Sequence, residues 1–294
     1  MSPLSSRTRG YAAMLCAAVL WSLIAPFTKV CVAEGLQPLE IAFWRALLGG
    51  LCFFADVRLR SGTLAIPVRD ALALAAFGVV GVGVFYAALQ VSIALSGAAL
   101  AMILMYTAPV WVAVFARAFF GERITPLVAL CVALGLLGAG LVCASGGSLK
   151  AEPAPWGIAC GLLSGLCYAL YFPFSVWLGG KMPMATLYAW PLLGGTAFLG
   201  ALLFVQPMSP DAYGLMAWAN LLGLGLVTNY LAYLAYGYSL RHIPQVQAAI
   251  IGNVEPVLAT LWVCLLWDEN FSARGWAGAL CIFAAVLLLA RRRT

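Results

Sequence analysis

A chain of 294 residues with 64% hydrophobic side chains, 9% charged side chains and a mean hydropathy of +1.01 is not a water-soluble globule, where about a quarter of residues are charged. Its formal charge of +6 is dispersed through short loops, apart from Arg291, Arg292 and Arg293, so it marks no nucleic-acid surface. The nine cysteines sit in or beside apolar segments without CxxC spacing, which reads as small hydrophobes and not as disulfides or metal ligands.

Taken in chain order, the breaks in the apolar pattern predict helices near 10–33, 38–57, 69–93, 97–119 and 126–145, then 155–179, 184–205, 212–239, 245–267 and 273–291. Punctuation at Gln37-Pro38, Ser61-Gly62, Ser96-Gly97, Thr125-Pro126, Lys181 to Pro183, Pro207 to Pro210 and His242 to Pro244 separates them. No Asp, Glu, Lys or Arg occurs between Asp70 and Arg117, from Met182 to Pro210, from Ala212 to Leu240 or from Gly275 to Ala290. Runs of that length cross a hydrocarbon core, which takes about 20 residues of helix. They lack the period-2 alternation of barrel strands. The run after Arg7 and Arg9 is followed by no convincing cleavage site, so it is expected to remain as the first span.

The two halves align at an offset of 147, half of the 294 residues. Trp21 to Phe27 falls on Tyr168 to Phe174, Tyr86 on Tyr233, Ser92 on Ser239, Tyr106 on Asn253 and Pro109 on Pro256. The fold expected is therefore an all-α polytopic membrane protein of ten transmembrane helices in two five-helix repeats, 10–145 and 155–291. With the N-terminus inside, twelve of the sixteen basic residues lie in inner loops and tails, and only Lys29, Arg45, Lys150 and Arg274 lie on or towards the other side. The positive-inside rule then predicts cytoplasmic termini. An odd number of helices per repeat inverts the second copy relative to the first, an arrangement found in carriers that work by alternating access.

The segment Asn253 to Trp262, then Trp267 to Asn270, then Trp276 to Leu289, resembles the end of an EamA-type domain, and Tyr106 to Val110, Gly121 to Arg123 and Gly135 to Leu141 repeat it more loosely. Two such domains in tandem resemble the drug/metabolite transporter superfamily, and within it the bacterial exporters of amino acids, aromatic ones included. The resemblance covers nearly the whole chain. It implies a multi-pass protein of a bacterial inner membrane, with a small-molecule substrate, the lipid bilayer as surroundings, no cofactor and no nucleic acid; a monomer is a workable unit.

Binding sites of inverted-repeat carriers lie near the midplane, so polar or aromatic residues recurring at both repeat positions are the first candidates. These are Trp21 with Tyr168, Tyr86 with Tyr233, and Tyr106 with Asn253. Tyr86 and Gln90 share a helix face, as do Asn229 and Tyr233, and Gln247 adds a further amide. Rings and amides of this kind suit amphipathic solutes; tyrosines also serve interfacial belts and helix packing. Glu255 is the only carboxylate near the centre of an apolar span, where an ionised group costs on the order of 2.5–3.5 kcal/mol. It is read as a proton-coupling group, as a counter-charge for a substrate ammonium, or as a structural partner of the Pro256 kink or of Arg45. Pro26, Pro109, Pro173 and Pro256 recur in pairs as kinks, either hinges or fixed curvature. Gly157, Gly161 and Gly165 mark close helix packing, Glu122 and Glu269 capping or loop anchoring, and His242 a solvated loop. The last helix of each half, without a mid-span polar group, is expected to pack outside any cavity.

A nucleotide-binding loop is missing, and so are the clustered His, Asp, Glu or Cys that a membrane enzyme or a metal site needs. A channel wants a ring of charge or carbonyls, usually from several subunits. Among carriers, one for sugar phosphates or nucleotide sugars calls for basic cavity residues, with only Arg45, and Lys29 nearer the outer end, to offer; an exporter of cationic drugs is the other alternative.

Overall fold

The computed structural model describes residues 6–60, 66–146, 154–204, 208, 213–268 and 272–291. Lys150, Glu269, Arg292 and Arg293 lie outside the described residues. Among the described residues the secondary structure is helical throughout. Among these residues, nine helices are long and apolar enough to span a membrane. They are α1 (Ser6–Ala33), α2 (Pro38–Arg60), α3 (Val68–Ser96), α4 (Ala98–Phe120), α5 (Pro126–Ser145), α6 (Pro155–Gly179), α7 (Met184–Leu203), α8 (Leu215–Leu240) and α9 (Gln245–Trp267). The shorter apolar helix α10 (Ala273–Leu289) completes the second set of five.

Four helices are broken, and proline explains each break. Proline lacks an N–H, and its ring collides with the carbonyl four residues earlier. The first segments of α1, α4, α6 and α9 end at Ser22, Met105, Ala169 and Gly252. Each stands four residues before Pro26, Pro109, Pro173 or Pro256. Two further helices are widened: π-helical turns span Gly78–Val84 in α3 and Leu224–Leu231 in α8, again at equivalent places in the two repeats. Both sit at tight helix crossings. A Cβ at Gly78 would lie 2.6 Å from the Pro191 carbonyl oxygen of α7, and Gly225 meets Leu48 and Gly49 of α2 in the equivalent way.

The two repeats interlock instead of standing side by side. Helix α1 packs on α8, α3 on α6, α2 on α7 and α5 on α10. Small residues set these approaches, since van der Waals packing drives helix association in lipid. A Cβ at Gly165 would lie 2.8 Å from the Leu104 carbonyl oxygen, and one at Gly161 2.6 Å from Leu104 Cδ1. Gly138 and Gly278 bring α5 and α10 together. Because these two helices are occupied with each other at the periphery, the interior is left to the broken helices and to α2, α3, α7 and α8. Glu122 accepts a hydrogen bond from the Gln245 N–H at 3.2 Å, fastening the α4–α5 loop to the start of α9, while the half-buried His242 stacks on Tyr238 with ring centroids 4.2 Å apart.

Candidate functional site

The helix breaks in α1 and α6 place Trp21 and Tyr168 at mid-bundle, and Tyr86 and Tyr233 reach the same space from α3 and α8. These four line an inner cavity of about 100 Å³ together with Arg45, Phe85 and Glu255. The cavity continues into a vestibule of about 450 Å³ that shares Trp21, Arg45, Tyr86 and Glu255 and adds Tyr106 and Gln90. The vestibule wall includes Lys29, Pro38 and Ala98, which stand at the ends of α1, α2 and α4 on the face away from the N-terminus. The site is thus open towards that face.

A guanidinium and a carboxyl group share this space. Arg45 enters from α2 and is held in place: its Nε donates to Asn229 Oδ1 at 3.0 Å, and Asn229 Nδ2 donates back to the Arg45 carbonyl at 2.9 Å. Its guanidinium carbon stands 5.3 Å from the Tyr86 ring centroid, a cation–π distance. Glu255 follows the break in α9, and the Tyr106 hydroxyl faces its carboxylate. Ten residues of helix separate Glu255 from the start of α9, about 15 Å at the α-helical rise, so it stands near the middle of the span. The guanidinium is therefore anchored on Asn229 and Tyr86, leaving its remaining donors and the carboxylate on a common wall.

On the face carrying the N-terminus, an aromatic cluster closes the bundle. Tyr233 lies 5.6 Å from Trp21, 5.5 Å from Tyr171 and 5.0 Å from Tyr188, and Trp21 lies 5.4 Å from Tyr236, all as ring centroids. Ser175 and Tyr188 share a hydrogen bond of 3.0 Å beneath them. Farther out, the Tyr11 hydroxyl donates to Gln247 Oε1 at 2.8 Å and so ties α1 to α9.

Trp21, Tyr86, Tyr106, Tyr168, Tyr233, Gln90, Arg45 and Glu255 are thus brought together on one wall. Three other expected residues are placed elsewhere. Asn229 is fully buried behind the wall as the partner of Arg45. Gln247 stands at the closed end, held by Tyr11. Asn253 sits at the break in α9, where a Cβ on Gly135 of α5 would approach its Nδ2 to 2.8 Å. The four prolines shape the cavity through their breaks. Sequence reading missed Phe85, Leu89, Met102 and Met105 on the wall and Tyr171, Tyr188 and Tyr236 beneath it. The repeat offset carries a signal for two of them: Ile24 falls on Tyr171 and Leu89 on Tyr236, pairs that differ in type.

Comparison with known proteins adds the family. A family model described as the EamA-like transporter family matches residues 8–144 and again 155–291. An uncharacterized transporter of Archaeoglobus fulgidus is 28% identical over 280 residues, covering 95% of this chain and 95% of its own. The uncharacterized transporter YdfC of Bacillus subtilis is 25% identical over 253 residues, covering 84% of this chain and 79% of its own. A solved crystal structure shares the fold, with a TM-score of 0.82 at 18% identity over 96% of each chain.

Proposed function

The chain belongs to the EamA-like transporter family, and on that premise we propose that it exports small amphipathic metabolites, foremost amino acids with aromatic or large neutral side chains, by alternating access of its inverted repeats. One observation carries the choice of cargo: a guanidinium, Arg45, and a carboxyl group, Glu255, line the same aromatic-walled cavity. A free amino acid is a zwitterion with one apolar arm. Its carboxylate suits the guanidinium, where charge-assisted hydrogen bonds are strong, and its ammonium suits Glu255. The side chain then lies against Trp21, Tyr86, Tyr168 and Tyr233, which offer ring faces and edges at little conformational cost. A sugar phosphate would bring its negative charge beside Glu255, and a cationic drug its positive charge beside Arg45.

The charge distribution supports an orientation. Among the described residues, Arg7, Arg9, Arg58, Arg60, Arg69, Arg117, Arg123, Lys181 and Arg241 lie at the end of the bundle that carries the N-terminus. That bias supports cytoplasmic termini in a bacterial inner membrane and a cavity facing outward in this conformation. Coupling to protons is assigned to Glu255, whose carboxylate exchanges an ammonium for a proton as access alternates.

The test is uptake by the purified protein in liposomes, using a panel of labelled amino acids with and without an imposed pH gradient. Uptake of aromatic or large neutral amino acids, stimulated by the gradient, is expected. Folded protein that takes up none of them, yet takes up a phosphorylated sugar or a cationic drug, refutes the reading.

A further inference from the structure

Apply the repeat offset of 147 to the wall of the open vestibule. Ile24, Ile41, Leu89, Ala98, Met102 and Tyr106 map onto Tyr171, Tyr188, Tyr236, Gln245, Ala249 and Asn253. All six of the mapped residues are buried, none more than 5% exposed, and they gather in the closed half of the bundle facing the termini. Three of them are tyrosines, two are amides and one is alanine, whereas the open wall they mirror is mostly aliphatic. Buried polar atoms are almost always hydrogen-bonded, and leaving one unpaired is costly. Here the Gln245 side chain has neither its Nε2 nor its Oε1 paired with protein, and Asn253 Nδ2 is likewise without a protein partner. Packing alone gives no reason to bury amides in that way.

We propose that these residues are the wall of a second substrate chamber, closed in this conformation, which opens towards the termini when the vestibule shuts. It rests on the alternating-access reading above but makes a separate claim about which residues the cargo meets on that side. In the open chamber, Gln245 and Asn253 regain hydrogen bonds to water or cargo, so their unpaired amides lift the energy of the closed form and keep both states accessible. The chemistry of the chamber also differs from that of the vestibule. Arg45 maps onto Leu192, Lys29 onto Val176 and Glu255 onto Ala108, so the mapped wall is neutral and its hydrogen bonds come from phenols and amides. It suits an amphipathic solute whose charges remain with Arg45 and Glu255 at the midplane while its apolar arm slides over tyrosine.

The experiment is thiol labelling with a membrane-impermeant maleimide, applied separately to each face of oriented membrane vesicles. Ala249→Cys and Ala189→Cys, the latter at the position onto which Ala42 of the vestibule wall maps, are two small substitutions on the mapped wall, and the parent protein with its nine cysteines supplies the background. Both variants are expected to label from the face carrying the termini, and labelling should slow about tenfold in a Gln245→Met background, where the closed form no longer buries the amide. Absence of labelling in folded protein overturns the chamber, and equal rates with Gln245 and Met overturn the role of the amide. Labelling needs no transported molecule, so failure of amino-acid uptake leaves this test intact, and uptake without labelling refutes the chamber alone.

Discussion

Asn229→Leu is the substitution that most directly probes how the cavity cation is held. Leucine keeps the branched outline of asparagine but removes both hydrogen bonds to Arg45, the 3.0 Å bond from Nε and the 2.9 Å bond to the backbone carbonyl. A hydrogen bond to a charged group contributes about 1.5–3 kcal/mol and a neutral one about 0.5–1.5 kcal/mol, so the pair is worth roughly 2–4 kcal/mol. The contact is tight, since a Cβ on Gly49 would lie 2.6 Å from Asn229 Cβ, and leucine must fit the same space. Part of the loss destabilises the fold and part frees Arg45 to leave the wall. If about 1.4 kcal/mol of it falls on the substrate-bound state, the apparent KM for an amino acid rises about tenfold. Initial uptake rates in liposomes against concentration measure this. Asn229→Asp, which keeps an acceptor for Arg45 Nε, should retain a KM closer to that of the parent. A well-folded Asn229→Leu protein with unchanged KM and rate would refute the argument that Asn229 positions the cation.

Tyr168→Ala and Trp21→Ala should each lower uptake by at least about tenfold, because each removes a ring from a cavity wall and aromatic contacts of this kind contribute about 1–3 kcal/mol to a bound ligand. Trp21, only 4% exposed and packed on Tyr233 and Tyr236, should also lose about 3–5 kcal/mol of stability as alanine, so Trp21→Phe is the variant whose uptake is compared at parent-like thermal unfolding. Glu255→Gln keeps the shape and removes the charge. If the ionised carboxylate binds the ammonium, parent uptake falls as the pH is lowered through its titration, and the variant should be slow and flat across the same range in a pH-stepped liposome assay. Gly165→Val drives a side chain against the Leu104 carbonyl, which the kinked backbone holds in place, and should destabilise by about 1–3 kcal/mol in detergent unfolding. Gly140→Ala, with no neighbour within 4 Å, is its neutral control. Tyr11→Phe removes the 2.8 Å tie to Gln247, about 1 kcal/mol, and should speed thiol labelling of Ala249→Cys from the termini face about fivefold.

The architecture was legible because it depends on period and composition. Ten apolar runs with proline, glycine and charge between them lead to ten helices, and the offset of 147 places the breaks of α1 and α4 on those of α6 and α9. The π-helical turns were not legible. They arise where α3 and α8 pack around glycines at a tight crossing, and no local residue pattern announces an extra residue per turn. The cavity wall was half legible. Searching for pairs of like type found Trp21 with Tyr168 and Tyr86 with Tyr233, but it passed over Leu89 and Ile24, whose partners are tyrosines. It also grouped Asn253 and Gln247 with the open wall, although inversion sends one member of many pairs to the opposite face of the membrane.

That inversion separates two roles. Under the proposed alternating access, whatever both repeats share, namely the proline breaks, the widened turns and the glycine crossings, is assigned to the moving scaffold, because each half must then be able to adopt the other's shape. Whatever only one repeat carries cannot be required for that exchange. Arg45, Lys29 and Glu255 have apolar counterparts in Leu192, Val176 and Ala108, so the proposed mechanism assigns these residues to recognition and coupling and not to the rocking itself. Adding a charge to the other half tests the separation: Leu192→Arg places a second cation near the mapped chamber and should impair amino-acid uptake while sparing the fold less than Arg45→Leu does, since Leu192 is only 3% exposed and the counterpart of Asn229 in the first repeat is the apolar Val82. Arg45→Leu, in turn, should abolish saturable amino-acid uptake but leave the labelling of Ala249→Cys from the termini face, since the scaffold that alternates is untouched. Loss of that labelling along with uptake would mean that the charges drive the motion, and the division between a symmetric machine and an asymmetric site would fall.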